Sequence, residues 1–495
     1  MLLINKSFPK IKTAEHTAIK QQTAVLQQLL KKAKNTEIGK IHQFEKILFA
    51  TDLHGQFQKQ VPIYDYELFY QQWIKKSING RNNIFWPDKI NFYALSSGTT
   101  SSSSKLLPIS NDMLQSFFRQ SRHQLTSLKK MGFQKSFYTT SCLTLGGSTD
   151  LIKEQNLYFG DLSGILQKNT PYIYRPFKKP GGRISALKDW NEKLAEIIKK
   201  APKWNIGTIA GIPNWIVFVL DGIIKHYNLK SIHDIWPNFQ LCLHGGIELG
   251  TYKEKIESLC SKPIVFLNTY LASEGYFAYQ TNSNQSCMRL LFNNGIYYEF
   301  IAKKDFEKVR NGDFSFQPLC LSEVEVGVEY GLVITTNSGL WRYIIGDTIK
   351  FTSKSMNEIS FQGRIQQTMN AMGEHLTLAN LTLAVQQAAN HLDVDFSEFC
   401  VQFDSANCVH IWYLGATKYV HGDIVAPILD LALQQANDDY KHLRKYTLKE
   451  PMIKVLPKEK FEEYLAQKGK LGGQHKFPRV LNPEQAKEWN LFLHS

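Results

Sequence analysis

The chain has no Cys-x-x-Cys pair, and its seven cysteines are odd in number and widely separated. This excludes a disulfide framework and a cysteine-based zinc site, and it points to a reducing compartment. No apolar run approaches the length of a membrane span. The opening Met1-Leu-Leu-Ile-Asn-Lys6 is too short for a secretory signal, so the cytoplasm is the expected location. The phosphate-loop spacing Gly-x-x-x-x-Gly-Lys-Ser/Thr is missing as well, since no second glycine lies between Gly98 and Lys105. Acids are outnumbered, 44 Asp and Glu against 58 Lys and Arg, for a net charge of +14. The densest basic pairs, Lys31-Lys32, Lys178-Lys179 and Lys199-Lys200, lie in separate segments. That reads as a generally basic surface suited to small anions, with no nucleic-acid groove expected.

What is present is an ordinary globular composition, 43% hydrophobic and 21% charged over 495 residues, enough for two or more structural units. The most informative stretch runs from Leu95 to Pro108. An apolar strand pattern, Ile90 to Leu95, delivers the chain into a run of serines and threonines containing Gly98, which ends at Lys105. Small residues let backbone N–H groups approach an anion, hydroxyls add donors, and a lysine adds a mobile charge, which is the chemistry of a phosphate-gripping loop. A solvated serine linker is the alternative reading.

Apolar residues at helical spacing predict helices over Thr13 to Lys34, Asp112 to Met131 and Ala186 to Lys200, with Arg119 and Arg122 at the middle of the second. Gly207 to Asn214 reads as a Gly/Pro loop. Phe239 to Leu243 and Pro263 to Leu267 read as strands, the first running into His244-Gly-Gly246 and the second into a polar loop from Asn268 to Gly275. Such strand-to-loop junctions are where α/β sheets hold ligands, and alternating strands and helices predict a layered α/β architecture with a partly parallel sheet. Glu274 is the only acid of its loop. It could hold a divalent cation, or it could cap a following helix. Alternating residues in Leu332 to Thr336 and Leu340 to Ile345 predict a β-rich subdomain turning at Asn337-Ser-Gly339, and Asp347 follows a glycine where a carboxylate could accept from two vicinal hydroxyls. After Gly363-Arg364 the texture changes to helix, two strands and helix, enough for a separate small α+β domain. The expected domains are 1–362 and 363–495, with a glycine-rich tail from Gly469 to Arg479 that carries Lys476.

Taken in order, three of these stretches resemble the GH3 family of acyl acid amido synthetases, and its bacterial-type members in particular. Ser96-Ser-Gly-Thr-Thr-Ser-Ser-Ser-Ser-Lys105 is similar to the family's SSGT loop, Thr269-Tyr-Leu-Ala-Ser-Glu274 to TYxSSE, and Leu340-Trp-Arg-Tyr-Ile-Ile-Gly-Asp347 to LYRYxxGD. Trp236-Pro-Asn238, Tyr298-Glu-Phe300, Val326 to Thr336 and Gly473 to Arg479 extend the resemblance over nearly the whole chain.

The resemblance implies a firefly-luciferase-like, adenylate-forming fold. A large N-terminal domain would bind ATP and a carboxylic acid, and a mobile C-terminal cap would follow it. The implied reaction transfers AMP to the acid and then passes the acyl group to an amino acid. Ser96, Ser97, Gly98, Thr99 and Thr100 with Lys105 would grip phosphates. Gly246, Thr269, Tyr270 and Ser273 would line the nucleotide, Glu274 would hold Mg²⁺, and Asp347 would take the ribose. Arg342, Tyr343 and Arg364 would flank the nucleotide, Lys476 would swing towards the α-phosphate, and Arg119 would contact the acid. Ser102 and Ala272 depart from the family's glycine and serine, Trp341 and Asn337 from its tyrosines, and His375 stands where a lysine is expected. An acyl-CoA-forming synthetase and a nucleotide-binding effector that does not turn over are the alternative activities.

Overall fold

The computed structural model describes residues 10–87, 89–96, 105–246, 249–250, 252–365, 369, 374, 376, 378–405, 407–437, 440–441, 443–444, 448–468 and 477–494. The chain divides into two compact units. The first comprises 1–248 and 257–361, and the second 249–256 and 362–495.

The first unit opens with the helix Lys10–Ala33, whose Ala18, Val25, Leu26, Leu29, Leu30 and Ala33 are buried at the spacing of one helical face. Gln22 lies on that buried face and acts as a clamp. Its amide donates to the carbonyls of Phe292 and Ile296, and its Oε1 accepts from the Tyr298 N–H. The strands that follow are β1 (Phe92–Ser96), β2 (Lys105–Ile109), β3 (Ser141–Thr144), β4 (Ile152–Glu154), β5 (Leu157–Gly160) and β6 (Lys178–Lys179). Next come β7 (Ile206–Gly211), β8 (Leu241–Gly245), β9 (Val265–Ala272), β10 (Gly275–Tyr279), β11 (Met288–Leu290) and β12 (Ile296–Ala302). The last three are β13 (Glu329–Thr336), β14 (Tyr343–Ser353) and β15 (Glu358–Arg364), of which residues 362–364 belong to the second unit.

Among the described residues these strands form two sheets, one ordered β2-β1-β5-β4 and an eleven-stranded one ordered β12-β13-β14-β15-β11-β10-β9-β8-β7-β3-β6. From β9 to β6 the large sheet is parallel, and from β9 back to β12 its determined pairings are antiparallel. The parallel half is layered with helices, as the alternating pattern predicts. Trp190–Lys200 and Pro213–Tyr227 pack against each other so closely that a Cβ on Gly222 would lie 2.8 Å from Ile198, and Trp190 stacks on Trp215 at 3.9 Å.

The segment expected to be a Gly/Pro loop at Gly207 to Asn214 is instead the strand β7 followed by a helix that starts at Pro213. Its glycines are there for packing: a Cβ on Gly207 would meet the Thr140 hydroxyl at 2.0 Å, and one on Gly211 would meet Leu145. Pro213 occupies the first helical turn, where a missing N–H costs nothing.

The antiparallel half is strongly curled. A Cβ on Gly275 of β10 would lie 2.6 Å from Ile296 of β12, although five strand steps separate the two in sheet order. On a flat sheet that is about 24 Å, so the sheet must fold back on itself, driven by strand twist and helped by a bulge in β14.

The second unit is a three-stranded sheet, β16 (Phe396–Asp404), β17 (Val409–Ala416) and β18 (Met452–Pro457), in that order and with β17 and β18 parallel. The helices Leu378–Leu392 and Gly422–Ala436 cover one core, built on Phe399, Trp412 and Leu429. Trp489 of the closing helix Pro483–His494 anchors an aromatic cluster with Phe461, Tyr464 and Phe477.

Candidate functional site

The Asn268 to Gly275 segment is not an open loop. Asn268 to Ala272 continue β9, and Ser273 and Glu274 alone make the turn into β10, with Gly275 paired to Ala272. Both turn residues are buried, at 9% and 6% exposure. A hairpin turn normally faces water, so a buried one holding a carboxylate is a built feature. Because the strand β10 follows, Glu274 does not cap a helix.

From the same β9, Tyr270 sends its hydroxyl 2.6 Å to Oδ2 of Asp347 on β14. Four strand steps separate β9 from β14 in sheet order, so only the curl lets them meet. The local cause at Asp347 is the bulge. Gly331 pairs with Thr348 and Val333 with Ile344, which leaves extra residues on β14, and Gly346 takes φ +85° within them. That geometry turns Asp347 inward to 4% exposure. Phe361 of β15 closes the Tyr270 side, with ring centroids 5.3 Å apart.

At the end of β8, Gly246 is exposed with φ +82°, and a Cβ on Gly245 would strike the Thr269 carbonyl at 2.4 Å, so backbone approaches backbone there. Thr269 donates its hydroxyl to the His244 carbonyl at 2.9 Å. His244 is buried, its Nδ1 has no hydrogen-bond partner, and burial pushes its pKa down to about 4, which keeps the imidazole neutral. The sequence marked His244 only as part of a strand-to-loop junction. Its burial and orphaned nitrogen are tertiary facts with no local signal.

Ser96 and Lys105 form the last pair of the β1–β2 hairpin. Ser97, Gly98, Thr99, Thr100 and Ser102 lie outside the described residues. The Lys105 ammonium sits 5.3 Å from the Tyr66 ring centroid, and the Tyr66 hydroxyl accepts from the Leu106 N–H at 2.8 Å. Hydroxyl bonds tie this hairpin to the β13–β14 turn. Ser338 donates to the Pro108 carbonyl and accepts from the Ser110 N–H, while Ser110 donates to the Asn337 carbonyl. Asn337, which departs from the family's tyrosine, also donates to Ser116 on the helix Asn111–Ser127.

Arg119 lies on that helix, 3.4 Å from Oδ1 of Asn294. Gln120 donates to the same oxygen, and Asn294 donates to the carbonyl of Tyr276, two residues beyond Glu274. The helix that carries Arg119 is therefore held against the β10 side of the site.

Arg342 and Tyr343 are both buried in the first unit. Arg342 is 3% exposed and its guanidinium is engaged internally. It contacts both oxygens of Glu299 at 2.9 to 3.2 Å and donates to the carbonyls of Gln58 and Val61. These bonds hold its backbone at φ +41°. Tyr343 is fully buried and packs edge-on to Phe69 in the core. Both side chains lie in the interior where β14 begins. Arg364 belongs to the second unit, and Lys476 and His375 lie outside the described residues.

Among the described residues no group of three or more His, Cys, Asp or Glu side chains could hold a metal. Magnesium is commonly held by one or two protein carboxylates together with substrate phosphates, so the buried Glu274 is a fitting ligand. No helix of the described residues is long and apolar enough to cross a membrane.

This curled sheet with its second α+β unit is the fold of adenylate-forming enzymes. It superposes on a 2-hydroxyisobutyryl-CoA ligase in the postadenylation state with TM-score 0.57, 12% identity and coverage of 96% of this chain and 92% of that one. It superposes on the GH3.15 acyl acid amido synthetase with TM-score 0.76, 17% identity and coverage of 97% and 94%.

The chain belongs to the GH3 family. Residues 8–146 match the GH3 family N-terminal domain, 289–364 the central domain and 379–485 the C-terminal domain. It is 31% identical over 332 residues to jasmonoyl-L-amino acid synthetase GH3.5 of Oryza sativa subsp. japonica, a match covering 61% of this chain and 53% of the rice protein. It is 24% identical over 444 residues to indole-3-acetic acid-amido synthetase GH3.4 of Arabidopsis thaliana, covering 75% and 71%. The match to the rice relative spans about half that protein's length.

Proposed function

We propose that this protein is an ATP- and Mg²⁺-dependent acyl acid amido synthetase. It adenylates a carboxylic acid and passes the acyl group to the amine of an amino acid, releasing AMP and pyrophosphate. The observation that carries this reading is the Tyr270–Asp347 bond, which joins the second and third sequence motifs, with the buried Ser273–Glu274 turn directly following the strand of Tyr270. Membership of a family whose curated relatives are named as amino acid conjugating synthetases supports it.

In this reading Asp347, with one oxygen already held by Tyr270, receives the ribose hydroxyls in a fixed orientation. The N–H groups about Gly246 and the hydroxyls of Thr269 and Ser273 face the nucleotide. Ser96 to Thr100 and Lys105 grip the phosphates, and Glu274 supplies a hard oxygen for the metal. His244 fits the same group, because a buried nitrogen without a partner wants a polar ligand. Arg119 meets the acid's carboxylate. Mg²⁺-bound ATP, when present, supplies the adenylyl group that turns a poor electrophile into a good one. The protein's part is to offset the charge gathered when two anions are brought together.

Carboxylate-dependent exchange of labelled pyrophosphate into ATP tests the first half-reaction. Offering amino acids or coenzyme A to the preformed adenylate tests the second. Exchange followed by consumption with amino acids supports the proposal. Consumption by coenzyme A alone would make the protein an acyl-CoA-forming synthetase. ATP binding without exchange across a broad panel of acids would make it a nucleotide-binding effector.

A further inference from the structure

We propose that residues 168–188 form a docking surface for the anionic face of a lipid bilayer, a role separate from the reaction above. From Leu162 to Lys188 the sequence contains Lys168, Arg175, Lys178, Lys179, Arg183 and Lys188 and not one acid. At its centre is the six-residue 3₁₀ segment Tyr172–Phe177, bounded by Pro171 and containing Pro176. This segment pushes apolar side chains outward: Tyr172 is 82% exposed, Ile173 69% and Phe177 46%. Exposed apolar residues scattered singly are ordinary, but three within six residues form a patch that asks for a partner.

The charges border the apolar tip directly. The Arg175 guanidinium lies 5.9 Å from the Tyr172 ring centroid and donates from Nε to the Thr170 carbonyl at 3.1 Å. Lys179 Nζ donates to the Pro176 carbonyl at 3.1 Å. Arg183 is exposed on the following short helix Gly182–Ala186, while Lys188 is engaged with Asp150 at 3.0 Å. The tip is also firmly mounted, because it runs into β6, the outermost strand of the large sheet, which pairs with β3.

Charge complementarity selects the occupant. A second copy of the chain would bring the same basic rim against itself in a symmetric contact, which repels. A nucleic acid would satisfy the lysines and arginines but gains nothing from Ile173. An anionic bilayer satisfies both, since headgroups meet the cations while Tyr172, Ile173 and Phe177 enter the interface.

The full chain is sedimented with phosphatidylcholine vesicles and with mixed phosphatidylcholine–phosphatidylserine vesicles. Preferential pelleting with the mixed vesicles is expected, weakening as salt rises. The double variant Ile173→Ser, Phe177→Ser should pellet clearly less with the mixed vesicles than the parent, and Lys178→Ser with Lys179→Ser should lose about fivefold in affinity for each charge removed. Phe49→Ser, which removes an apolar side chain 84% exposed elsewhere on the surface, should bind as the parent does. Circular dichroism of each variant reports whether it is folded. The inference is overturned if the parent shows no preference for phosphatidylserine, or if folded Ile173→Ser, Phe177→Ser pellets like the parent. It is equally overturned if the patch variants lose binding to an oligonucleotide and not to vesicles, or if they dissociate a self-associated parent without changing vesicle binding.

Discussion

The Tyr270 hydroxyl donates to Oδ2 of Asp347 at 2.6 Å, joining residues 77 positions apart in sequence and four strands apart in the sheet. If Asp347 takes the ribose hydroxyls, Tyr270 is what aims it. Removing a hydrogen bond to a carboxyl group costs about 1–3 kcal/mol, so Tyr270→Phe should weaken ATP binding by roughly tenfold. Asp347→Ala should weaken it further. Titration calorimetry with ATP measures both, and unchanged affinity in Asp347→Ala would remove that residue from the nucleotide.

The Arg342–Glu299 pair predicts a different outcome. Both side chains are almost fully buried, at 4% and 1% exposure, so removing the cation strands an anion in the interior at a cost of about 3–5 kcal/mol. Arg342→Ala should therefore lower the urea midpoint sharply while the folded fraction keeps its ATP affinity. A variant of normal stability that has lost ATP binding would place Arg342 beside the nucleotide.

Glu274→Gln tests the metal assignment. The substitution keeps the size and shape of the side chain, so the variant should fold and bind ATP. Pyrophosphate exchange should fall by about 10²–10³, the usual loss when one charge-stabilising group is removed. Exchange at the parental rate across a magnesium titration would place the metal elsewhere.

His244 predicts an acid limb in stability. Its folded pKa is lowered by burial from 6.5 to about 4. Between those values the unfolded chain binds the proton and the folded one does not, so this stability is fully present above pH 6.5 and is lost as pH falls towards 4. Burial lowers His42 and His54 in the same direction. Urea unfolding at pH 7 and pH 4 should show the parent losing on the order of 3 kcal/mol more than His244→Gln. Equal losses would mean that His244 is not held neutral.

Much of the fold was legible locally. The opening helix announces itself by apolar residues at helical spacing, and β14 follows a turn at Asn337 and Ser338 as its residue types suggest. The sequence changes texture near Gly363, whereas the second compact unit comprises 249–256 as well as 362–495, and nothing local in 249–256 signals that. β7 was hidden because Gly207 and Gly211 look like loop residues until Thr140 and Leu145 are seen filling the space beside them. The turn at Ser273 and Glu274 was hidden for a related reason: polar residues read as a loop unless the sheet around them is known to bury them.

The order of side chains along the chain determined which residue types stand ready, namely a hydroxyl-rich stretch ending in Lys105, a lone acid at 274 and an aspartate after Gly346. Local periodicity and composition suffice for that, because they act over a few residues. Only the tertiary structure decided their fates. The curl of the antiparallel strands carried Tyr270 to Asp347, and Arg342 of the same motif is buried against Glu299. Those outcomes depend on contacts between residues 77 and 43 positions apart, and no pattern confined to one segment encodes them.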